Sequence, residues 1–372
     1  MKTHFFIIMA GNEVKIKELE DRIATTKYNK KTQSAIGLYK AQLAKLKEKE
    51  SSRGKGTSGG KGWEVRKTGD GTVILLGFPS AGKSTLLNAL TDAKSEIAAY
   101  AFTTLTCIPG VLQYKHAKIQ ILDVPGIVKG AATGKGRGKE VLASMRSADL
   151  CLILLDATHL TEYDVIVKEI YDTHIRLNQK KPDVKIVRTG KDGIRMGATV
   201  RLTKLNQDTI KAILKEFKIN NADVVLRENI NADQFIDCIE NNKKYMPALT
   251  VINKADLVSK TQLDKLMKKY KADIAISASE GRNIDELKEL LFQTLDLIRI
   301  YLKEPTKPAD MDVPLIVFRN CSVGDVCSKL HKDFLTKFKF SRVWGLSAKF
   351  DGQKVMAKHR LIDGDLLEIH LI

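Results

Sequence analysis

The stretch Gly77-Phe-Pro-Ser-Ala-Gly82-Lys83-Ser84 constrains the fold more than any other part of the chain. It has the spacing G-x-x-x-x-G-K-S, follows the apolar run Val73–Leu76 and precedes the helical pattern Thr85–Leu90. A buried strand, a glycine-rich loop and a helix start, in that order, make a cradle for phosphate. Glycines let backbone N–H groups curl round phosphate oxygens, and the helix start adds the positive end of its dipole. Gly77, Pro79, Ser80, Ala81, Gly82 and Thr85 build the cradle. Lys83 is placed to reach β- and γ-phosphates, and Ser84 to ligate Mg²⁺.

Three further motifs stand at the ends of apolar runs. Asp123-Val-Pro-Gly126 follows Ile119–Leu122, about 40 residues after the loop. Asp123 suits Mg²⁺, and the Gly126 N–H suits a γ-phosphate. Asn253-Lys254-Ala-Asp256 follows Leu249–Ile252. The Asp256 carboxylate can accept two hydrogen bonds from guanine N1–H and N2–H₂, a donor pair adenine lacks, so this motif selects GTP. Lys254 can cover the base and brace the phosphate loop. Ser277-Ala278 follows Ile274–Ile276 and suits a backbone N–H aimed at guanine O6. With Leu150–Leu155, these runs read as strands buried on both faces, separated by helical patterns. The fold class expected is α/β, a mostly parallel doubly wound sheet with its ligand at the carboxyl ends of the strands.

The 372 residues are enough for more than one domain. Residues 1–50 read as a helical hairpin, with Ile16, Leu19 and Ile23 on one face and Ile36, Tyr39, Leu43 and Leu46 on another. Residues 51–70 are a Gly/Ser/Lys linker and lead-in. The nucleotide domain spans 71–304, with an inserted α+β subdomain at about 172–245. In that insert Val184–Val187 and Ala198–Leu202 read as strands and Gln207–Phe217 as a helix. Pro305 and Pro308 mark a linker before a β-rich domain at 311–372, with Pro314–Phe318, Ser347–Phe350 and Leu366–Leu371 as strands and Val326–Leu335 as a helix.

No stretch is long and apolar enough to span a bilayer, and Phe5–Met9 is too short for a signal-peptide core. The five cysteines lack metal-ligand spacing, which argues against zinc and fits a reducing cytoplasm; Cys151 reads as core. The net charge of +18, of which +8 falls in residues 1–70, points to an anionic partner, with nucleic acid leading.

With these residues in hand, the chain resembles the developmentally regulated GTP-binding proteins within the Obg-like GTPases. The likeness rests on Gly77–Thr85, Phe102-Thr-Thr-Leu-Thr106, Asp123-Val-Pro-Gly-Ile127 and the glycine-studded Gly130–Gly138. It implies an S5-like inserted subdomain and a C-terminal TGS domain of β-grasp fold. It also implies a switch segment at Tyr100–Thr106, where Thr104 or Thr103 binds Mg²⁺, and a second from Asp123 to about Lys139. Lys83 and Thr104 would be the catalytic residues. Ile127 stands where many GTPases carry a water-orienting glutamine, so the resemblance implies catalytic help from elsewhere. A potassium ion is one candidate, although Ser80 stands where cation-dependent relatives often carry asparagine.

The reading that follows is a cytoplasmic, Mg²⁺-dependent GTPase that converts GTP to GDP slowly by itself. It would act as a ribosome-associated switch in translation, with a DRG-binding helper protein left open and a monomer as default. The alternative is an RNA or ribosome adaptor that holds GTP with negligible turnover. A small-molecule kinase is a third reading, opposed by Asn253–Asp256.

Overall fold

The computed structural model describes residues 2–29, 31–52, 69–78, 80–91, 108–123, 145–159, 163–305 and 307–372. They divide into two compact units, one built from the N-terminal helices and residues 170–245, the other from the remainder.

The nucleotide unit begins with strands β1 (Gly71–Leu76), β2 (Ile108–Tyr114), β3 (Ala117–Asp123) and β4 (Leu150–Asp156). All six residues of β1 and all seven of β4 are buried, as a strand covered on both faces requires. The chain then leaves for the other unit and makes β5 (Ile175–Leu177), β6 (Val184–Arg188), β7 (Ile194–Ala198), β8 (Ala222–Leu226) and β9 (Lys244–Met246). It returns as β10 (Ala248–Asn253) and β11 (Ile274–Ala275). The central sheet runs β11-β10-β4-β1-β3-β2, parallel except for β2, which pairs antiparallel with β3 at the edge. The sequence reading does not include β2. Pro109 and Gly110 depress strand propensity, and pairing with β3 overrides it.

Leu76, Asp123, Asp156 and Asn253 all end strands at one edge of this sheet. A core of Val73, Leu75, Ile119, Leu152, Val251 and Leu287 holds the strands against the flanking helices. The helix after β1 runs Lys83–Leu90, two residues earlier than its apolar pattern suggests, because Lys83 and Ser84 open it.

The remaining strands are β12 (Leu297–Lys303), β13 (Leu315–Phe318), β14 (Phe338–Trp344), β15 (Gln353–Val355) and β16 (Leu366–Leu371), in the order β13-β12-β16-β14-β15. The boundary expected at residue 304 therefore moves: β12 pairs parallel with β16 and antiparallel with β13. Its alternation decides this, since Ile298 and Ile300 enter the core with Val317, Val343 and Leu367. Ser347–Phe350 is a turn rather than a strand. The Val326–Leu335 helix is two, Val323–Leu330 and Lys332–Thr336, broken at His331 by its extended backbone.

In the other unit the helices Lys2–Thr25 and Gln33–Ser52 are joined by a turn in which Asn29 Oδ1 accepts the Lys31 and Thr32 N–H groups. The second helix takes in Ser51 and Ser52, which the sequence reading gave to the linker; residues 53–62 of that linker lie outside the described residues. The hairpin does not stand alone. Ala41 packs among Ile210, Ile213, Leu214 and Phe235, and Lys40–Asp233 and Lys45–Glu216 ion pairs flank it. The sheet beneath is β6-β8-β7, with helices Gln207–Glu216 and Ala232–Glu240. Its second strand is Ile194–Ala198, not Ala198–Leu202, because Ile194 and Met196 supply the inward alternation.

Candidate guanine-nucleotide site

Gly77, Ser80, Ala81, Gly82, Lys83, Ser84 and Thr85 follow β1 as a tight loop and first helical turn. Two glycines are required by their surroundings. A Cβ on Gly77 would lie 2.6 Å from the Leu154 carbonyl oxygen. Gly82 has φ +88°, and a Cβ there would lie 2.3 Å from Asn253 Nδ2. Ser80 also has positive φ, 74°. Lys83 folds back over the loop, donating to the carbonyls of Gly77 and Phe78 at 3.0 and 3.1 Å. Ser84 and Thr85 are exposed at the loop mouth.

Asp123 ends β3, 7% exposed. Its Oδ1 is buried and has no hydrogen-bond partner among the described residues. Burial pushes its carboxyl above the ordinary range, against the pull of the Lys83 ammonium. An orphaned buried carboxylate oxygen near the loop lysine is the donor a hard dication takes, so the residues fit Mg²⁺. Among the described residues no cluster of three or more His, Cys, Asp or Glu could hold a metal by itself. A dication here would depend on one carboxylate, the Ser84 hydroxyl and phosphate oxygens.

The base side is organised by Asn253, 2% exposed. Its Nδ2 donates to the Ala81 carbonyl at 2.9 Å, and its Oδ1 accepts the Ala278 N–H at 3.0 Å. One amide thus ties the phosphate loop to the loop after β11. The Ser277-Ala278 motif leaves open which backbone N–H would meet guanine O6, and here the Ala278 N–H goes to Asn253. Ser277 is fully buried, with its hydroxyl near Ser279 Oγ at 3.2 Å and accepting the Glu280 N–H at 3.3 Å. Asp256 is exposed in the short helix Ala255–Leu257, free to meet a base.

Lys254 sits in left-handed backbone, φ 63°, and its ammonium reaches Asp156 Oδ2 at 2.6 Å. It braces the end of β4, where the sequence reading had it bracing the phosphate loop. Asp156 Oδ1 accepts both the N–H and the hydroxyl of Thr158, at 2.8 and 2.7 Å. Burial opposes its charge, but the hydrogen bonds from Lys254 and Thr158 outweigh that and hold its carboxyl below the usual range. Sequence reasoning missed Asp156. The signal was there: it follows the apolar run Leu150–Leu155 as Asp123 follows Ile119–Leu122. Pro79, Thr103, Thr104 and Gly126 lie outside the described residues, as do the segments 100–106 and 124–139. Cys151 is core, its thiol pushed by burial to about 12.

Residues 72–189 match the family described as "50S ribosome-binding GTPase", 191–297 its C-terminal region, and 298–371 the TGS domain. The chain is 51% identical to an uncharacterized GTP-binding protein of Methanocaldococcus jannaschii, over 99% of this chain and 96% of that one. It is 44% identical to developmentally-regulated G-protein 3 of Arabidopsis thaliana (95% and 97% covered) and 42% identical to developmentally-regulated GTP-binding protein 2 of Homo sapiens (95% and 98%). The chain belongs to the developmentally regulated GTP-binding protein family. It is a GTP-binding GTPase with a C-terminal TGS domain, and the edge just described is where its motifs gather. The TGS match from residue 298 agrees with the placement of β12 in the C-terminal sheet. No helix of the described residues is long and apolar enough to cross a membrane.

Proposed function

We propose that this GTPase is a Mg²⁺-dependent, cytoplasmic, monomeric switch that hydrolyses GTP slowly by itself and faster on the ribosome. The observation that carries the Mg²⁺ part is the buried, unpartnered Asp123 Oδ1 beside the phosphate loop. Ser84 and Asp123 would hold the ion, joined by Thr104 or Thr103. The ion would neutralise negative charge on the β- and γ-phosphate oxygens. Lys83 turns from its loop carbonyls to those same oxygens. Gly126 offers its N–H to the γ-phosphate. Asp256 accepts N1–H and N2–H₂ of guanine while Lys254, fixed by Asp156, lies along the base.

No glutamine follows Gly126; Ile127 takes that place and cannot orient water. Intrinsic turnover of ~10⁻⁴ to 10⁻² s⁻¹ follows, with several powers of ten available from an activating partner. The ribosome is favoured as that partner by the family description and by the +18 charge. The test is single-turnover GTP hydrolysis in Mg²⁺ buffer, with potassium or sodium, with and without ribosomes. A large stimulation by ribosomes is expected. GTP bound but never hydrolysed, with or without ribosomes, would replace the switch by an adaptor that holds GTP.

A further inference from the structure

The C-terminal sheet has one face in the core, where Ile298, Val343 and Leu367 meet Val323 and Val326 of the helix behind it. Strand alternation turns Lys303, Phe340, Arg342, Trp344, Lys354 and His370 to the other face. The register brings them together: Phe340 lies opposite His370, and Arg342 stands between Glu368 and Lys354. The Phe340 and His370 rings stack at 4.3 Å and 16°. The Lys354 ammonium lies 4.4 Å over the Phe340 ring, and that of Lys303 4.9 Å over Trp344. Glu368 also faces this side, but its side chain is only 6% exposed and takes both Lys303 Nζ and His370 Nε2 at 2.6 Å. Arg342 and Lys354 are exposed and have no acidic partner among the described residues.

We propose that this outward face binds unpaired RNA, with bases stacked on Trp344 and the Phe340–His370 pair and phosphates held by Arg342 and Lys354. The proposal rests on the ribosome reading above and names the surface that would serve it. Aromatic rings interleaved with cations on an open sheet suit single strands, whose bases are free to stack; a duplex keeps its bases inside. The Phe340 and Trp344 rings are half-buried, and a lysine stem is long enough to move off the ring and follow the phosphate when a base stacks there. Glu368 is taken up by Lys303 and His370, and Arg299 on the same face takes up Asp363, so Arg342 and Lys354 leave the net field cationic. A purely acidic protein segment would use the cations and leave the rings unexplained.

The test uses the full chain and a fluorescein-labelled, unstructured 12-nucleotide RNA, with a blunt duplex of the same length as control. Anisotropy should show the single strand bound at least ~10-fold more tightly than the duplex. The double variant Arg342→Ala, Lys354→Ala should weaken single-strand binding ~10-fold and lower the log–log salt slope by about 1.4, two phosphate contacts' worth. Basal GTP hydrolysis should be unchanged. Trp344 gives a readout that needs no destabilising change: in a Trp63→Phe protein its emission should be quenched by the single strand. Unchanged affinity in the double variant, no quenching, or displacement of the RNA by polyglutamate at equal charge would each overturn the proposal. Ribosome stimulation of hydrolysis is measured on the same samples. Stimulation that persists while the double variant binds RNA normally overturns this face alone; no stimulation of the parent protein overturns the ribosome reading alone.

Discussion

Asp123 and Asp156 end the two strands that flank β1, so they sit on either side of the phosphate loop at the same edge of the same sheet. Both are nearly buried, at 7% and 5% exposure. Their chemistry is opposite. Asp156 is fully committed to Lys254 and Thr158 and its carboxyl is held low. Asp123 keeps one oxygen without a partner among the described residues and its carboxyl is pushed up. The base half of the site is thus preorganised by protein–protein hydrogen bonds, through Asn253, Lys254 and Asp156. The phosphate half carries an unmet electrostatic demand that ligand and ion would satisfy. Desolvation that is only partly compensated is costly, and here it falls on the residue proposed to hold Mg²⁺.

That contrast can be broken at several points. The largest effect should come from the base half: Asp256→Asn removes the acceptor pair for guanine, and preference for GTP over xanthosine triphosphate should shift by ~10⁴-fold, read by competitive nucleotide binding. In the phosphate half, Lys83→Ala should lower the hydrolysis rate ~10²- to 10³-fold in single turnover while leaving base preference intact. If base preference moved as well, the two halves would not be separable.

The two aspartates should then differ in the sign of their effect on stability. Asp156→Ala strands Lys254 and Thr158 and should destabilise the nucleotide-free protein by about 1–3 kcal/mol, seen as a lower Tm. Asp123→Ala removes a poorly solvated charge and should stabilise the nucleotide-free protein by a smaller amount, about 1 kcal/mol, seen as a higher Tm, while abolishing the Mg²⁺ dependence of GTP binding. Equal signs would show that Asp123 is as structural as Asp156.

The pH dependence gives the smallest and sharpest comparison. A lowered folded pKa contributes stability above the unfolded value of 3.8 and loses it as pH falls through the lower folded value, so the Asp156 contribution begins to fall near pH 3.8 and vanishes only below its folded value. A raised folded pKa works the other way. Asp123 begins to cost stability as pH rises past 3.8, and the cost is complete once pH exceeds its folded value. Thermal melts of each alanine variant against the parent should therefore converge for Asp156 at acid pH and diverge for Asp123 toward neutrality.

Much of this was legible along the chain, for reasons that particular residues make plain. A strand buried on both faces cannot hide, so Val73–Leu76 and Leu150–Leu155 stood out as continuous apolar runs. Gly82 and Lys83 are fixed by local loop geometry, which spacing alone encodes. Half-buried elements were harder. β2 carries Pro109 and Gly110, β7 is displaced from its expected place, and Ser347–Phe350 looks like a strand but is a turn. β2 is held by its hairpin partner β3, whereas β7 pairs with β8 and Ser347 meets Asp365 further along the chain.

The sequence by itself determined the family and the buried strands of the nucleotide domain with the motif loops that follow them. These follow from short-range patterns, because a phosphate loop and its helix are one contiguous piece of chain. Only the tertiary structure decided how those residues share their hydrogen bonds. Asn253 reaches back 172 positions to Ala81, and Lys254 reaches back 98 positions to Asp156. It also moved β12 into the C-terminal sheet and joined the N-terminal hairpin to the inserted subdomain. Hydrogen-bond partners and strand neighbours are chosen by which groups burial brings together, and no local spacing records that.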